Sequence, residues 1–238
     1  MAKKNGLDFI YVVWQDVKSR KNFIIGILTR NGCYEFRYGM DLKEAQQAGF
    51  TPLVAFPSVE TEYRESELFP TFACRLPDKR RRDISDILQK YGLTEYDEFE
   101  LLKRSGAKLP TDTLSFIEPI FEDDPVVDRS FYVMGIRYYL PCNGEDCGLI
   151  SELTPETKLI LQTEPDCEHD LYAVQIKDMS GTLIGYIPRY YSETISKRLA
   201  DGTSYLCQVV EHNHKQPCNE CLKIRLRMPE QLTGGVAS

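Results

Sequence analysis

The chain has 238 residues, 42% of them apolar and 27% charged, with a formal net charge of −7. That length suits two small domains, each able to bury a modest core, and no stretch approaches the ~20 apolar residues that a membrane span requires. The negative balance excludes a protein that coats nucleic acid through bulk electrostatics, since such affinity comes from Lys and Arg displacing counterions at phosphates.

The start, Met1-Ala2-Lys3-Lys4, runs through Asn5, Gly6 and Asp8 into an alternating segment instead of a continuous apolar signal core, so the expected location is the cytoplasm. In that compartment the eight cysteines are expected as reduced thiols packed as small apolar groups. Phe9–Trp14, Phe23–Leu28 and Cys33–Tyr38 are β-branched and aromatic runs separated by polar turns, and they predict a three-stranded meander. After Asp78, the residues Ile84, Ile87, Leu88 and Tyr91 recur at helical spacing up to Gly92, which suits a C-terminal cap. A second, shorter helix is predicted to start at Thr94, with Asp97 three residues on, to carry Phe99 and Leu102, and to stop near Gly106.

The first domain, 1–118, is therefore expected to be mixed α/β. Pro119, Pro125 and the acidic Glu122-Asp123-Asp124 suggest an exposed linker over 119–130. Beyond it, strands are predicted at 131–139, 158–162, 172–177, 183–187, 205–211 and 222–228. One helix interrupts them after Pro188, carrying Ile195 and Leu199 and ending at Asp201-Gly202. Six strands in a domain spanning 131–230 predict a barrel or sandwich, giving an α+β chain overall. The Gly-rich tail, 231–238, is expected to be disordered.

The second half contains Gly135-Ile136-Arg137-Tyr138-Tyr139, then Glu164-Pro165-Asp166-Cys167-Glu168-His169-Asp170 followed by Ala173-Val174, then Gly181, then Ile184-Gly185-Tyr186-Ile187-Pro188-Arg189. In order and spacing this resembles the HIRAN family over about 131–227. The resemblance implies a six-stranded, OB-like β-barrel with one short helix that captures single-stranded DNA, in some relatives at a free 3′-hydroxyl end. It places Arg137 and Tyr138 on the pair lining the pocket, Asp170 on the carboxylate that meets the terminal hydroxyl, and Arg189 on a phosphate contact. Tyr139 and His169 join the expected DNA-binding set, although His169 stands where relatives often have Tyr and Cys167 where Asn is frequent. Aromatic faces stack bases without regard to sequence, guanidinium groups grip phosphates, and a carboxylate accepts from a hydroxyl but repels a phosphate. The competing reading makes Arg137 and Tyr138 ordinary strand residues and Asp170 a turn cap. Acidic residues outnumber basic ones in this half, so binding would be modest and salt-dependent.

His212, His214, Cys218 and Cys221 include a Cys-x-x-Cys spacing that could suit tetrahedral zinc, although free thiols on a metal-free hairpin are the default and no cofactor is expected. In the first half, Tyr11, Trp14, Gly26-Ile27-Leu28, Phe36-Arg37-Tyr38, Pro52-Leu53, Leu68-Phe69-Pro70 and Arg75-Leu76-Pro77 resemble the N-terminal module of HipA-type toxin proteins. The remaining length of chain is too short for a kinase fold, so this resemblance implies an interaction module with a protein partner. Lys79, Arg80, Arg81 and Arg82 open the long helix, where their charges oppose its partial positive end. They are either a solvated face or a contact for phosphate or an acidic partner.

No phosphate-cradling loop, nucleophile elbow or zinc-protease helix occurs, and the three histidines leave few acid–base options, so an enzyme is not expected. Two functions remain: a DNA-binding protein that captures single strands, and a non-catalytic adaptor in a bacterial regulatory, toxin-related or defence system. Neither involves a membrane.

Overall fold

The computed structural model describes residues 8–229, apart from 111, 122–123, 141–152, 169, 214–215, 217 and 219. The chain forms two compact units that divide between Pro119 and Ile120.

In the N-terminal unit the expected meander is present as β1 (Asp8–Gln15), β2 (Asn22–Arg30) and β3 (Tyr34–Tyr38). Two short strands that the sequence pattern does not predict, β4 (Tyr63–Glu65) and β5 (Leu114–Ile117), extend it to an antiparallel sheet ordered β4-β3-β2-β1-β5. One face buries Ile10, Val12, Ile25, Leu28 and Phe36. Phe116 of β5 lies on the same face beside Val12, and against this face pack Phe56, Phe72 and Phe99, with Phe36 and Phe56 ring centroids 4.5 Å apart. The helices are α1 (Leu42–Gln47), α2 (Pro70–Ala73), α3 (Ile84–Lys90) and α4 (Glu98–Ser105). Arg75, from the Arg75-Leu76-Pro77 motif, is buried, donates to the Ala107 carbonyl at 2.8 Å and pairs with Asp112.

Two helix starts differ from expectation. Helix α4 begins after Asp97, which caps it by accepting from the Glu100 N–H at 2.9 Å; a side chain that serves as the cap cannot also lie three residues inside. Lys79–Arg82 do not open α3 but form the turn before it. There Arg80 lies against Asp78 and Arg81 against Asp83, so the charges are answered locally and stay out of the helix field.

The C-terminal unit contains β6 (Val127–Tyr132), α5 (Ile136–Tyr139), β7 (Ile160–Thr163), β8 (Val174–Lys177), β9 (Leu183–Tyr186), α6 (Arg189–Ala200), β10 (Leu206–His212) and β11 (Leu222–Met228). The expected closed six-stranded barrel is not what forms among the described residues. The strands make two antiparallel three-stranded sheets, β10-β11-β6 and β7-β8-β9, joined by the single bridges Met134–Tyr186 and Lys158–Gln208. Bulges at Val210 in β10 and Ile184 in β9 interrupt the ladders locally, and outside the two sheets only these single bridges link the strands among the described residues.

Two further corrections concern 119–139. The segment expected as an exposed linker belongs to the C-terminal unit from Ile120 onward: Ile120 and Phe121 are buried, and β6 already starts at Val127. Helix α6 fastens this segment through its buried face. Thr194 Oγ1 donates to the Ile120 carbonyl at 3.1 Å, and the buried Arg198 donates to the Asp124 carbonyl at 2.5 Å. The strand expected over 131–139 stops at Tyr132, and Ile136–Tyr139 is one helical turn. Gly135 redirects the chain with φ +78, a left-handed conformation that favours glycine. The expected tail, 231–238, lies outside the described residues.

Candidate nucleic-acid interface

Three segments flank the β7-β8-β9 sheet. The first is α5. Its position follows from the Met134–Tyr186 bridge, in which each backbone N–H donates to the other residue's carbonyl at 2.9 and 2.8 Å. Gly185 permits that approach, because a Cβ there would lie 2.4 Å from the Met134 carbonyl oxygen. Ile136 is buried and anchors the turn, which leaves Tyr138 70% exposed and Tyr139 45% exposed. The Arg137 guanidinium lies over the Tyr138 ring, 4.7 Å from its centroid, and donates to the Tyr138 hydroxyl. Arg137 and Tyr138 are thus not ordinary strand residues, as the competing reading had them.

The second segment is the end of β7. Glu164 accepts from the Tyr186 hydroxyl and from Gln175 Nε2, each at 2.8 Å. Gln175 and Tyr186 are direct cross-strand partners between β8 and β9, so the ladder itself delivers both donors to one carboxylate. The Tyr139 and Tyr186 rings pack 5.4 Å apart. Burial, with hydrogen bonding to Tyr139 and Glu164, raises the Tyr186 phenol well above the ordinary tyrosine range, so it stays a donor.

The third segment joins Asp170 to the start of α6. Asp170 is half-buried; Oδ1 accepts from the Tyr172 N–H at 2.9 Å and Oδ2 from the Ser192 hydroxyl at 2.7 Å. Ser192 Oγ also lies 2.9 Å from the carbonyl of Arg189, whose exposed side chain opens the helix. Asp170 therefore does cap a turn, as the competing reading held, and it is also tied to the turn that carries Arg189.

Arg137, Tyr138 and Tyr139 thus share one helical turn, while Asp170 and Arg189 share the α6 end, and the Tyr186–Arg189 segment connects the two groups. His169 lies outside the described residues. Glu164, Gln175, Tyr186 and Ser192 do not stand out as site residues in the sequence. Glu164 and Tyr186 stand within the quoted motifs, but only the β8–β9 register reveals their partnership. Lys79, Arg80, Arg81 and Arg82 are all exposed on the other unit. Of the four residues whose spacing could suit zinc, His214 lies outside the described residues, and Cys221 is buried with its Sγ 3.2 Å from the Cys218 carbonyl oxygen. Among the described residues no group of three His, Cys, Asp or Glu side chains is placed to hold a metal.

The model of the HIRAN domain aligns with the whole of this unit from β6 through β11. Residues 127–232 match the HIRAN domain. Residues 19–111 match the HipA N-terminal domain. Among solved structures, the chain is similar to a protein from Lactobacillus plantarum at 20% identity, covering 44% of this chain and 96% of that one, with a TM-score of 0.36. It is similar also to the HIRAN domain of human HLTF at 17% identity, covering 44% of this chain and 77% of that one, with a TM-score of 0.31. No curated protein matches the chain. No helix among the described residues is long and apolar enough to cross a membrane.

Proposed function

We propose that the HIRAN-matching unit binds single-stranded DNA on the surface formed by α5 and the β9–α6 junction, and prefers a strand that ends in a free 3′-hydroxyl. The observation that carries this reading is the exposure of Tyr138 and Tyr139 on one turn, with the Arg137 guanidinium over the first ring. Exposed aromatic faces beside a cation stack bases and hold the neighbouring phosphate. Arg189, exposed at the start of α6 three residues after Tyr186, supplies a second cation. Asp170 gives the end preference: its carboxylate accepts from a terminal hydroxyl and repels a phosphate that would continue the strand. Binding, not catalysis, is the proposed activity, and the cytoplasm the proposed location.

The test is fluorescence anisotropy of oligonucleotides that differ only in a 3′-hydroxyl or a 3′-phosphate. Tyr138→Ala removes one stacking face and is expected to weaken binding by ~1–3 kcal/mol, about 5- to 150-fold. Equal binding of both ends by the intact protein would overturn the end preference, and unchanged binding by the Tyr138 and Arg137→Ala variants would overturn the surface.

The match of residues 19–111 to the HipA N-terminal domain favours a second role for the other unit, as a protein-interaction module. Cross-linking of the full chain in a bacterial extract, followed by peptide mapping, should place a partner on residues 8–119. Cross-links confined to the C-terminal unit would remove this role.

A further inference from the structure

Strand β11 lies in the middle of its sheet, between β10 and β6, and its residues alternate strictly. Leu222, Ile224, Leu226 and Met228 are each 0% exposed and form the inner face. Lys223, Arg225 and Arg227 therefore stand on the outer face, one every second residue, about 6.7 Å apart along the strand. A central strand normally has polar side chains on its solvent face, but three cations and no anion in sequence along one face is a specific pattern.

The neighbours on that face are fixed by register. Lys223 lies between Tyr132 of β6 and Glu211 of β10, Arg225 between Ser130 and Gln208, and Arg227 between Asp128 and Leu206. The Tyr132 ring is partly exposed and lies 5.7 Å from Lys223 Nζ. Asp128 accepts two bonds from Arg225, both at 2.6 Å, and lies 3.4 Å from Arg227 Nε. One carboxylate thus aligns two guanidinium groups whose side chains are still 44% and 50% exposed, leaving donors on each that face outward.

At the Arg227 end the face runs into an open cavity of about 490 Å³, whose lining includes Val126, Asp128, Ser204, Tyr205, Leu206 and Arg227. Tyr205 cannot swing away from it, because its hydroxyl accepts from the Leu161 N–H at 2.9 Å. The cavity has the size of a small-ligand site; Tyr205, Val126 and Leu206 give it an apolar part that suits a flat ring, Asp128 and Ser204 add polar groups, and Arg227 links it to the row of cations.

We infer that the outer face of the β10-β11-β6 sheet is a second contact for a nucleic-acid strand, with Lys223, Arg225 and Arg227 along successive phosphates and one base in the Tyr205 cavity. The inference rests on the reading that the HIRAN-matching unit binds single strands, and extends it to a face that carries none of the residues assigned to the end site. Charge complementarity selects a polyanionic occupant, and the row of regularly spaced cations selects one whose charges are also regularly spaced. Asp128 competes with the phosphates while holding the guanidinium groups in line, so it limits affinity on this face.

Anisotropy titrations with strands of about 4 and about 16 nucleotides, which bracket the site sizes of small single-strand-binding modules, separate the two contacts. The Lys223→Ala/Arg225→Ala/Arg227→Ala variant should bind the long strand at least about tenfold more weakly, and reduce the slope of log K against log salt by about 2, as expected for three lost phosphate contacts. Its affinity for the short 3′-hydroxyl strand should not change. Asp128→Asn, which frees both guanidinium groups, should bind the long strand more tightly with a steeper salt slope. If both variants bind the long strand like the intact protein while Arg137→Ala loses both strands, this face is not a contact and the end site stands. If Arg137→Ala binds both strands normally while the triple variant loses the long one, the end site fails and this face stands. Absence of binding by the intact protein overturns both.

Discussion

Ser192 Oγ lies 2.7 Å from Asp170 Oδ2 and is only 2% exposed as a residue, so the carboxylate proposed to read a strand end is also fastened to a buried helix turn. The Tyr172 N–H occupies the other oxygen. An ionised carboxylate has about four acceptor positions, and two are taken here, which leaves capacity for a ligand hydroxyl. The single proton of Ser192 has two acceptors within reach, Asp170 and the Arg189 carbonyl; the charged one makes the stronger bond.

The dual role dictates which substitution is informative. Asp170→Ala leaves Tyr172 N–H and Ser192 without their acceptor and should cost ~1–3 kcal/mol of stability, confounding any loss of binding. Asp170→Asn keeps one oxygen for Tyr172 and an amide that can donate to Ser192. Its melting temperature should stay close to that of the intact protein, while its preference for a 3′-hydroxyl over a 3′-phosphate falls towards unity. A retained preference in this variant would show that the negative charge of Asp170 does not discriminate ends.

The period-2 patterns were legible because burial enforces them: β11 alternates Leu222, Ile224, Leu226 inward with Lys223, Arg225, Arg227 outward, and any register slip would invert it. Helix α5 was not legible. Tyr138 and Tyr139 have strand-like preferences, and what turns the chain is a bridge to Tyr186, some fifty residues on. The end site follows the same division. Arg137 and Asp170 stand out by chemistry, whereas Glu164 and Ser192 gain their roles from the β8–β9 register and the docking of α6, which no local pattern encodes.

Gly185 tests how far the end site depends on that bridge. An alanine Cβ would lie 2.4 Å from the Met134 carbonyl oxygen and 2.7 Å from Val133 Cγ1, and backbone cannot yield as a flexible side chain would. Gly185→Ala should therefore destabilise the protein by ~1–3 kcal/mol, the range for overpacking. Because α5 follows directly from Met134, oligonucleotide binding should weaken even where the variant is folded. Denaturant titration and anisotropy under the same buffer check both, and wild-type values in either would contradict the close approach.

Asp97 provides a test in the other unit. Arg30 Nη1 lies 2.7 and 2.6 Å from its two oxygens, and the Glu100 N–H donates to it. Burial alone would raise its carboxyl, but the Arg30 and Glu100 bonds outweigh this and hold it below the ordinary aspartate value of 3.8. A carboxyl depressed by folding stabilises the native state fully above its unfolded pKa, and that contribution disappears as pH falls through the folded value. Asp97→Ala should cost ~1–2 kcal/mol at pH 7 from the lost cap and ion pair. The gap between it and the intact protein should narrow steadily below about pH 4. A gap of equal size at pH 7 and pH 3 would rule out the ionised carboxylate as its source.

Thiol reactivity follows from burial in the same direct way. Burial pushes the Cys207 thiol up to about 12, and Cys207 and Cys221 are only 2% and 1% exposed, whereas Cys74 is exposed. The thiolate is the nucleophile, so at pH 8 only about 1 in 10,000 Cys207 groups is in the reactive form, against a substantial fraction of an ordinary thiol. Iodoacetamide should therefore modify Cys74 first among these three. Cys207 and Cys221 should become reactive only in denaturant, because reaching either buried thiol requires the β10-β11 hairpin to open. Raising the pH from 8 to 9 should leave the native Cys207 signal near zero. Peptide mapping by mass spectrometry resolves the three sites, and native labelling of Cys207 at the Cys74 rate would mean that this hairpin opens far more readily than its packing implies.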